Sequence, residues 1–146
     1  MLEIQYAKVL PVTSLNKGTK GSAGYDLYVP DNYEPFILKA GESTTIRSGL
    51  YLLIPEDHCL LALNKGGKGS QGLDLGACLI DLDYRGEVFI NIFNRGKEDI
   101  PINPGNKIIQ VLLLPVPPSE VKETTLENIL SQTTERGDGC LGSTGQ

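Results

Sequence analysis

Basic charge, histidine and paired cysteine are all scarce in this chain of 146 residues, and each scarcity removes a class of function. Thirteen Lys and Arg stand against eighteen Asp and Glu, a formal net charge of −5. General DNA or RNA binding draws on phosphate neutralisation by clustered cations, so no nucleic-acid partner is expected. A small phosphorylated ligand stays open, because it needs only a few local cations and backbone N–H groups. The three cysteines, Cys59, Cys78 and Cys140, are odd in number and widely spaced, with no C-x-x-C pair. That argues against a disulfide framework and a structural zinc site. The one histidine, His58, adjoins Cys59, but neighbours on a strand face opposite sides, so a Cys–His nucleophile pair does not assemble. His58 reads instead as a surface residue of the turn Pro55-Glu56-Asp57-His58. No apolar run approaches membrane-spanning length, and the N-terminus lacks a basic segment followed by an apolar one. The expectation is a soluble intracellular protein without a membrane partner, cytoplasmic or nuclear.

What the chain has in quantity is turn residues. Seventeen glycines and nine prolines fall between short apolar runs, as in an all-β domain with one core. Strands are expected at residues 4–10, 24–29, 36–38, 43–54, 59–63, 73–79, 87–93 and 108–115. Residues 81–86 would form a tight hairpin between the sixth and seventh of these. The stretch Asn64-Lys65-Gly66-Gly67-Lys68-Gly69-Ser70-Gln71-Gly72 should be a loop, because each glycine costs a helix about 1 kcal/mol relative to alanine. Residues 124–131 carry a weak helical period in Leu126, Ile129 and Leu130. Many short strands at this spacing make a β-sandwich or barrel.

Two segments carry chemistry. In Gly76-Ala77-Cys78-Leu79-Ile80-Asp81-Leu82-Asp83-Tyr84-Arg85-Gly86-Glu87, carboxylates interrupt an apolar strand and hairpin. Asp is common in turns, but at a rigid corner Asp81 could equally serve as a general base or position a water. The last eleven residues, Arg136-Gly137-Asp138-Gly139-Cys140-Leu141-Gly142-Ser143-Thr144-Gly145-Gln146, hold four glycines, two hydroxyls and an arginine. Such a donor-rich tail can close over a polyphosphate. It lacks the Walker G-K-[S/T] pattern.

Taken together, these segments resemble the trimeric dUTPase family, whose motifs occur here in order over nearly the whole length. The first is matched by Ala23-Gly24-Tyr25-Asp26-Leu27 and the third by Leu79-Ile80-Asp81-Leu82-Asp83-Tyr84-Arg85-Gly86. The fourth is matched by Gly105-Asn106-Lys107-Ile108-Ile109-Gln110-Val111, and the fifth by Arg136-Gly137 with Gly142-Ser143-Thr144-Gly145. The third and fifth are the specific ones. The resemblance implies a distorted jelly-roll barrel over residues 1–135. It also implies a flexible arm, 136–146, closing over a neighbouring subunit of a homotrimer. The implied reaction is hydrolysis of dUTP to dUMP and pyrophosphate with Mg²⁺. Asp81 would activate the water that attacks the α-phosphorus, and Tyr84 would pack against the deoxyribose. Residues 75–81, including Leu79, would face the uracil. Asp26 would help hold the metal through water. Lys65, Gly66, Gly67, Ser70 and Gln110 would contact the phosphates. Arg136, Ser143 and Thr144 would reach the γ-phosphate, with Leu141 and Gly142 covering the base.

The chain departs from the family where the second motif should read Pro-Arg-Ser-Ser or Pro-Arg-Ser-Gly, since it has Asn64-Lys65-Gly66-Gly67. Lysine keeps the charge but loses the bidentate fork, and the serine hydroxyl is missing. Losing one transition-state donor costs roughly 2.7–4 kcal/mol. Ser70 could substitute only if the loop folds back. Leu141 stands where an aromatic ring would stack on uracil, a contact worth about 1–3 kcal/mol. Cys78 and Cys140 each replace a glycine. An active, divergent, phage-like or viral enzyme is the first reading. A nucleotide-binding or regulatory protein on the same fold, with catalysis weak or lost, is the alternative. A related dCTP deaminase is disfavoured, because that family's Ser-x-Ala-Arg segment is not found.

Overall fold

Along Ser43–Leu53 (β4) exposed and buried residues largely alternate, with Ile46, Ser48, Leu50 and Leu52 inward and Thr45, Arg47, Tyr51 and Leu53 outward. This two-residue period gives a strand one dry face and one wet face. The computed structural model describes residues 2–76 and 79–139. Ten strands run through it: Gln5–Lys8 (β1), Tyr25–Tyr28 (β2), Phe36–Leu38 (β3), β4, His58–Asn64 (β5), Leu73–Leu75 (β6), Leu79–Ile80 (β7), Glu87–Asn94 (β8), Ile100–Ile102 (β9) and Lys107–Pro115 (β10). They form two four-stranded antiparallel sheets, ordered β1-β4-β8-β6 and β2-β10-β5-β7, and a ribbon of β3 with β9. The all-β class stands. The expected barrel is not closed: the described strands make separate open sheets.

The buried faces of both sheets and the ribbon merge into one core. Ile46, Leu50, Ile90 and Ile92 come from the first sheet, Leu27, Leu60 and Val111 from the second, and Ile102 from the ribbon. Each such side chain contributes about 1.5–3 kcal/mol by leaving water. No helix among the described residues is long and apolar enough to cross a membrane.

Three expectations need correction. Leu73 to Leu79 is not one strand. β6 pairs with β8, as a hairpin would, but β7 leaves for the other sheet and pairs with β5. The glycine-rich stretch contains a single helical turn, Gly66–Gly69 (α1), with Gly69 N–H on Lys65 O at 2.7 Å and Ser70 N–H on Gly66 O at 3.0 Å. One turn asks little of helix propensity when both ends are held by neighbouring strands. His58 opens β5 rather than closing a turn, its Nδ1 lying 2.7 Å from Glu56 O. The weak period near 124–131 becomes a short helix, Leu126–Leu130 (α2), N-capped by the Thr125 hydroxyl, which accepts from Asn128 N–H at 3.1 Å.

Candidate active site

Residues 81–86 carry the chain from β7 in one sheet to β8 in the other. The passage is rigid because its polar groups are used locally. Tyr84 N–H donates to Asp81 O at 3.2 Å, and the Arg85 guanidinium donates to Leu82 O at 2.6 Å. The Tyr84 hydroxyl donates to Glu87 O at 2.8 Å. A Cβ at Gly86 would collide with that phenol, so only glycine lets the ring lie there. Glu87 anchors the far end. Its carboxylate is buried and accepts from Arg47 at 2.8 and 2.9 Å and from Gly49 N–H at 2.9 Å. Gly49, with φ +71°, sits where the β4–β8 register shifts, so Glu87 seals a bulge. The Arg47 guanidinium is held more firmly charged by this carboxylate.

Asp81 and Tyr84 stand at the mouth of a pocket of about 210 Å³. Leu79, Ile80, Ala62 and Ile109 line it from one sheet, and Val88 and Phe89 from the other. An apolar slot with one carboxylate at its rim suits a flat, weakly polar group inside and a water held outside. Because the Tyr84 hydroxyl is already bonded, the ring is what this residue offers a ligand.

A second cluster joins β2, β10 and Lys65, the residue that follows β5. Asp26 is buried and bracketed by cations: Lys65 donates to Oδ1, and the Lys107 ammonium stands 3.0 Å from Oδ2. Lys107 lies off the hydrogen-bonding direction, so the buried Oδ2 has no hydrogen-bond partner among the described residues. Burial pushes the Asp26 carboxyl up, but the contacts and charges of Lys65 and Lys107 outweigh it and hold the pKa below the usual 3.8. Lys107 is raised in return, chiefly by its contact with Asp26. A depressed carboxyl gives stability that is present above the ordinary pKa and lost as pH falls through the folded-state value. Asp26→Asn should therefore cost about 1.5–3 kcal/mol at neutral pH and flatten the fall in melting temperature below about pH 4. Parallel acid limbs in the two proteins would contradict this.

The same cluster bears on metal binding. Among the described residues no group of three His, Cys, Asp or Glu side chains can hold an ion, so a cage built from protein ligands does not fit. The one acceptor here without a hydrogen-bond partner among the described residues is the buried Oδ2 of Asp26, the atom that a metal-bound water would use.

The other expected residues are placed as follows. Gly66 and Gly67 are exposed, with open space around each Cα; the turn of α1 folds the loop back so that Ser70 N–H reaches Gly66 O, but the Ser70 hydroxyl donates to Gly67 O at 2.9 Å. Gln110 donates to Asn64 O at 3.0 Å and fills the space left by Gly24. Arg136 is exposed and donates to Gly139 O at 2.9 Å. Within one chain, Lys65, Ser70, Gln110 and Arg136 do not line the Asp81 pocket. Leu141, Gly142, Ser143 and Thr144, like Cys78 and Cys140, lie outside the described residues. Lys107, Glu87 and Phe89 were not singled out from sequence. Lys107 had a signal, since it lies inside the fourth motif; Phe89 reads as one more strand residue until its ring, 52% exposed, is seen at the pocket.

The dUTPase family profile matches residues 11–145. The chain belongs to the dUTPase family. The deoxyuridine 5'-triphosphate nucleotidohydrolase of Candida albicans is 34% identical over 131 residues, covering 89% of this dUTPase-family chain and 79% of that protein. In fold, the chain is similar to the dUTPase of Staphylococcus bacteriophage 80alpha solved with dUpNHpp, with a TM-score of 0.83 at 23% identity over 99% of both chains. It is also similar to the dUTPase of phage phi11 of S. aureus, in which a structural Mg(II) ion is coordinated, with a TM-score of 0.74 at 22% identity over 84% of this chain and 96% of that one.

Proposed function

We propose that this dUTPase-family chain hydrolyses dUTP to dUMP and pyrophosphate. The observation that carries the proposal is the family match over 11–145 together with Asp81 and Tyr84 at the rim of one apolar pocket. Uracil fits between the walls that include Leu79 and Phe89, and the Tyr84 ring packs on the deoxyribose. A 2′-hydroxyl there would meet a ring fixed by its bond to Glu87 O. Asp81 orients a water and takes its proton as the new oxygen–phosphorus bond forms at the α-phosphorus. The bond from that phosphorus to the bridging oxygen breaks, and pyrophosphate leaves. Such a reaction needs charge neutralisation and in-line placement more than covalent help.

Lys65 and the loop at Gly66, Gly67 and Ser70 face the phosphates, with Gln110 behind them. Asp26 would hold a Mg²⁺ ion through water, and that ion would supply charge neutralisation to the triphosphate. The catalytic unit is a homotrimer, in which Arg136, Leu141, Gly142, Ser143 and Thr144 reach a neighbouring copy. This agrees with a single chain whose Asp81 pocket lacks the cationic residues.

Pyrophosphate release measured with dUTP, dTTP, dCTP and UTP in Mg²⁺ tests the proposal, and dUTP should be strongly preferred. The absence of a seryl hydroxyl at Gly66 favours a second reading, a regulatory protein with weak catalysis. Retained dUTP binding without pyrophosphate would select it. Gly66→Ser should raise kcat about tenfold, a fraction of what one transition-state donor is worth. Its Cβ meets no atom within 4 Å, so the substitution tests the hydroxyl rather than packing.

A further inference from the structure

Asp74 lies in β6 and is itself given no role by the family motifs. Its carboxylate nevertheless reaches both ends of the glycine-rich segment. At the entry, Asn64 Nδ2 donates to Asp74 Oδ1 at 2.8 Å, and Leu75 N–H donates to the same oxygen at 2.9 Å. At the exit, Arg95 Nε stands 2.7 Å from Asp74 Oδ2, while the Arg95 backbone N–H holds Gly72 O at 2.8 Å. Asn64 and Gly72 bound the segment 65–71, which contains α1. The Asp74 carboxyl is held below its ordinary pKa, first by Asn64 and then by the Leu75 N–H, with a further contribution from Arg95. It is therefore an anion at neutral pH, accepting from each partner.

We infer that Asp74 is the positioning residue for the phosphate-facing loop, tying its entry directly and its exit through Arg95. The physical need is plain at Asn64. The second motif of the family has proline there, whose ring fixes φ. This chain has an asparagine followed by a run rich in glycine, the residue that loses most backbone entropy on ordering. A carboxylate that binds the asparagine side chain replaces covalent stiffness with a charge-assisted clamp. Asp74 touches no substrate; it acts through the placement of residues 65–70.

The inference rests on the dUTP reading for its ligand but not for its first measurement. In Asp74→Ala, hydrogen exchange of the amides at 66–72 should quicken about tenfold or more, while amides in the middle of β8 keep their rates. This readout needs no nucleotide, and unchanged exchange would overturn the clamp. In calorimetry, affinity for dUpNHpp should fall about tenfold, while affinity for dUMP, which lacks the β- and γ-phosphates, stays the same. An equal loss for both ligands would mark a merely structural role, and no loss for either would overturn the inference. Asp74→Asn keeps an acceptor for Asn64 and should recover most of the exchange protection. It should recover less where Arg95 matters, and Arg95→Met should loosen the exit alone. A wild-type protein that fails to release pyrophosphate from dUTP would instead sink the substrate reading, leaving the exchange result to decide the clamp.

Discussion

Asp81→Asn should lower kcat by about 10²- to 10⁴-fold, the range a positioned general base contributes, with the affinity for dUpNHpp nearly unchanged. The residue is exposed, and among the described residues its backbone carbonyl holds the corner, through Tyr84 N–H. The melting temperature should therefore barely move, because surface substitutions away from packed features stay within about 0.5 kcal/mol. Asparagine matches the shape but cannot take the proton from water. Steady-state pyrophosphate release combined with calorimetry checks both halves. Turnover within a factor of a few of wild type would remove Asp81 from the chemistry. A lost kcat with a large drop in melting temperature would make it a structural residue.

Gly72→Ala should be the most damaging small substitution to stability, at about 2–4 kcal/mol from backbone strain and overpacking together. Gly72 has φ +94°, and a Cβ there would run into the backbone nitrogen and Cα of Gly96. Neither is the far end of a flexible side chain, so the backbone segments before β6 and after β8 must part. For a chain of this size the melting temperature should fall roughly 5–15 °C. Gly41→Ala is the control: its φ is +82°, yet nothing lies within 4 Å of the added carbon. It should cost only the backbone term, about 1–2 kcal/mol. Equal losses at the two positions would show that the approach of Gly72 to Gly96 carries no weight.

The long strands were legible because alternation survives in them. β4 and β8 show it over eleven and eight residues, and β10 shows the apolar density of a strand flanked on both sides. β9 escaped notice because Pro101 lacks an N–H and reads as a breaker. A ribbon strand with a single partner, β3, tolerates it. The destination of β7 was also hidden, since two residues have no period and nothing local says which sheet they join. Asp81 and Tyr84 were readable through motif order, and the structure places them together at one pocket. Lys107 and Asp74 act through partners 81 and 10 residues away in sequence, Asp26 and Asn64, and no spacing rule connects such pairs. Glu87 looked like an ordinary strand start, because its role depends on a bulge formed 38 residues earlier at Gly49.

The bridge at 81–86 belongs to neither layer of the protein. One wall of its cleft belongs to the sheet of β7, and the opposite wall to the sheet of β8. Whatever makes one layer slide over the other therefore widens or narrows the cleft. If the Tyr84 ring packs on the deoxyribose as proposed, a methyl lost deep inside, as in Ile92→Val, should loosen that contact although Ile92 is wholly buried. On that reading, fidelity toward the pentose depends on how the two layers are bolted together, and it should drift whenever their alignment does.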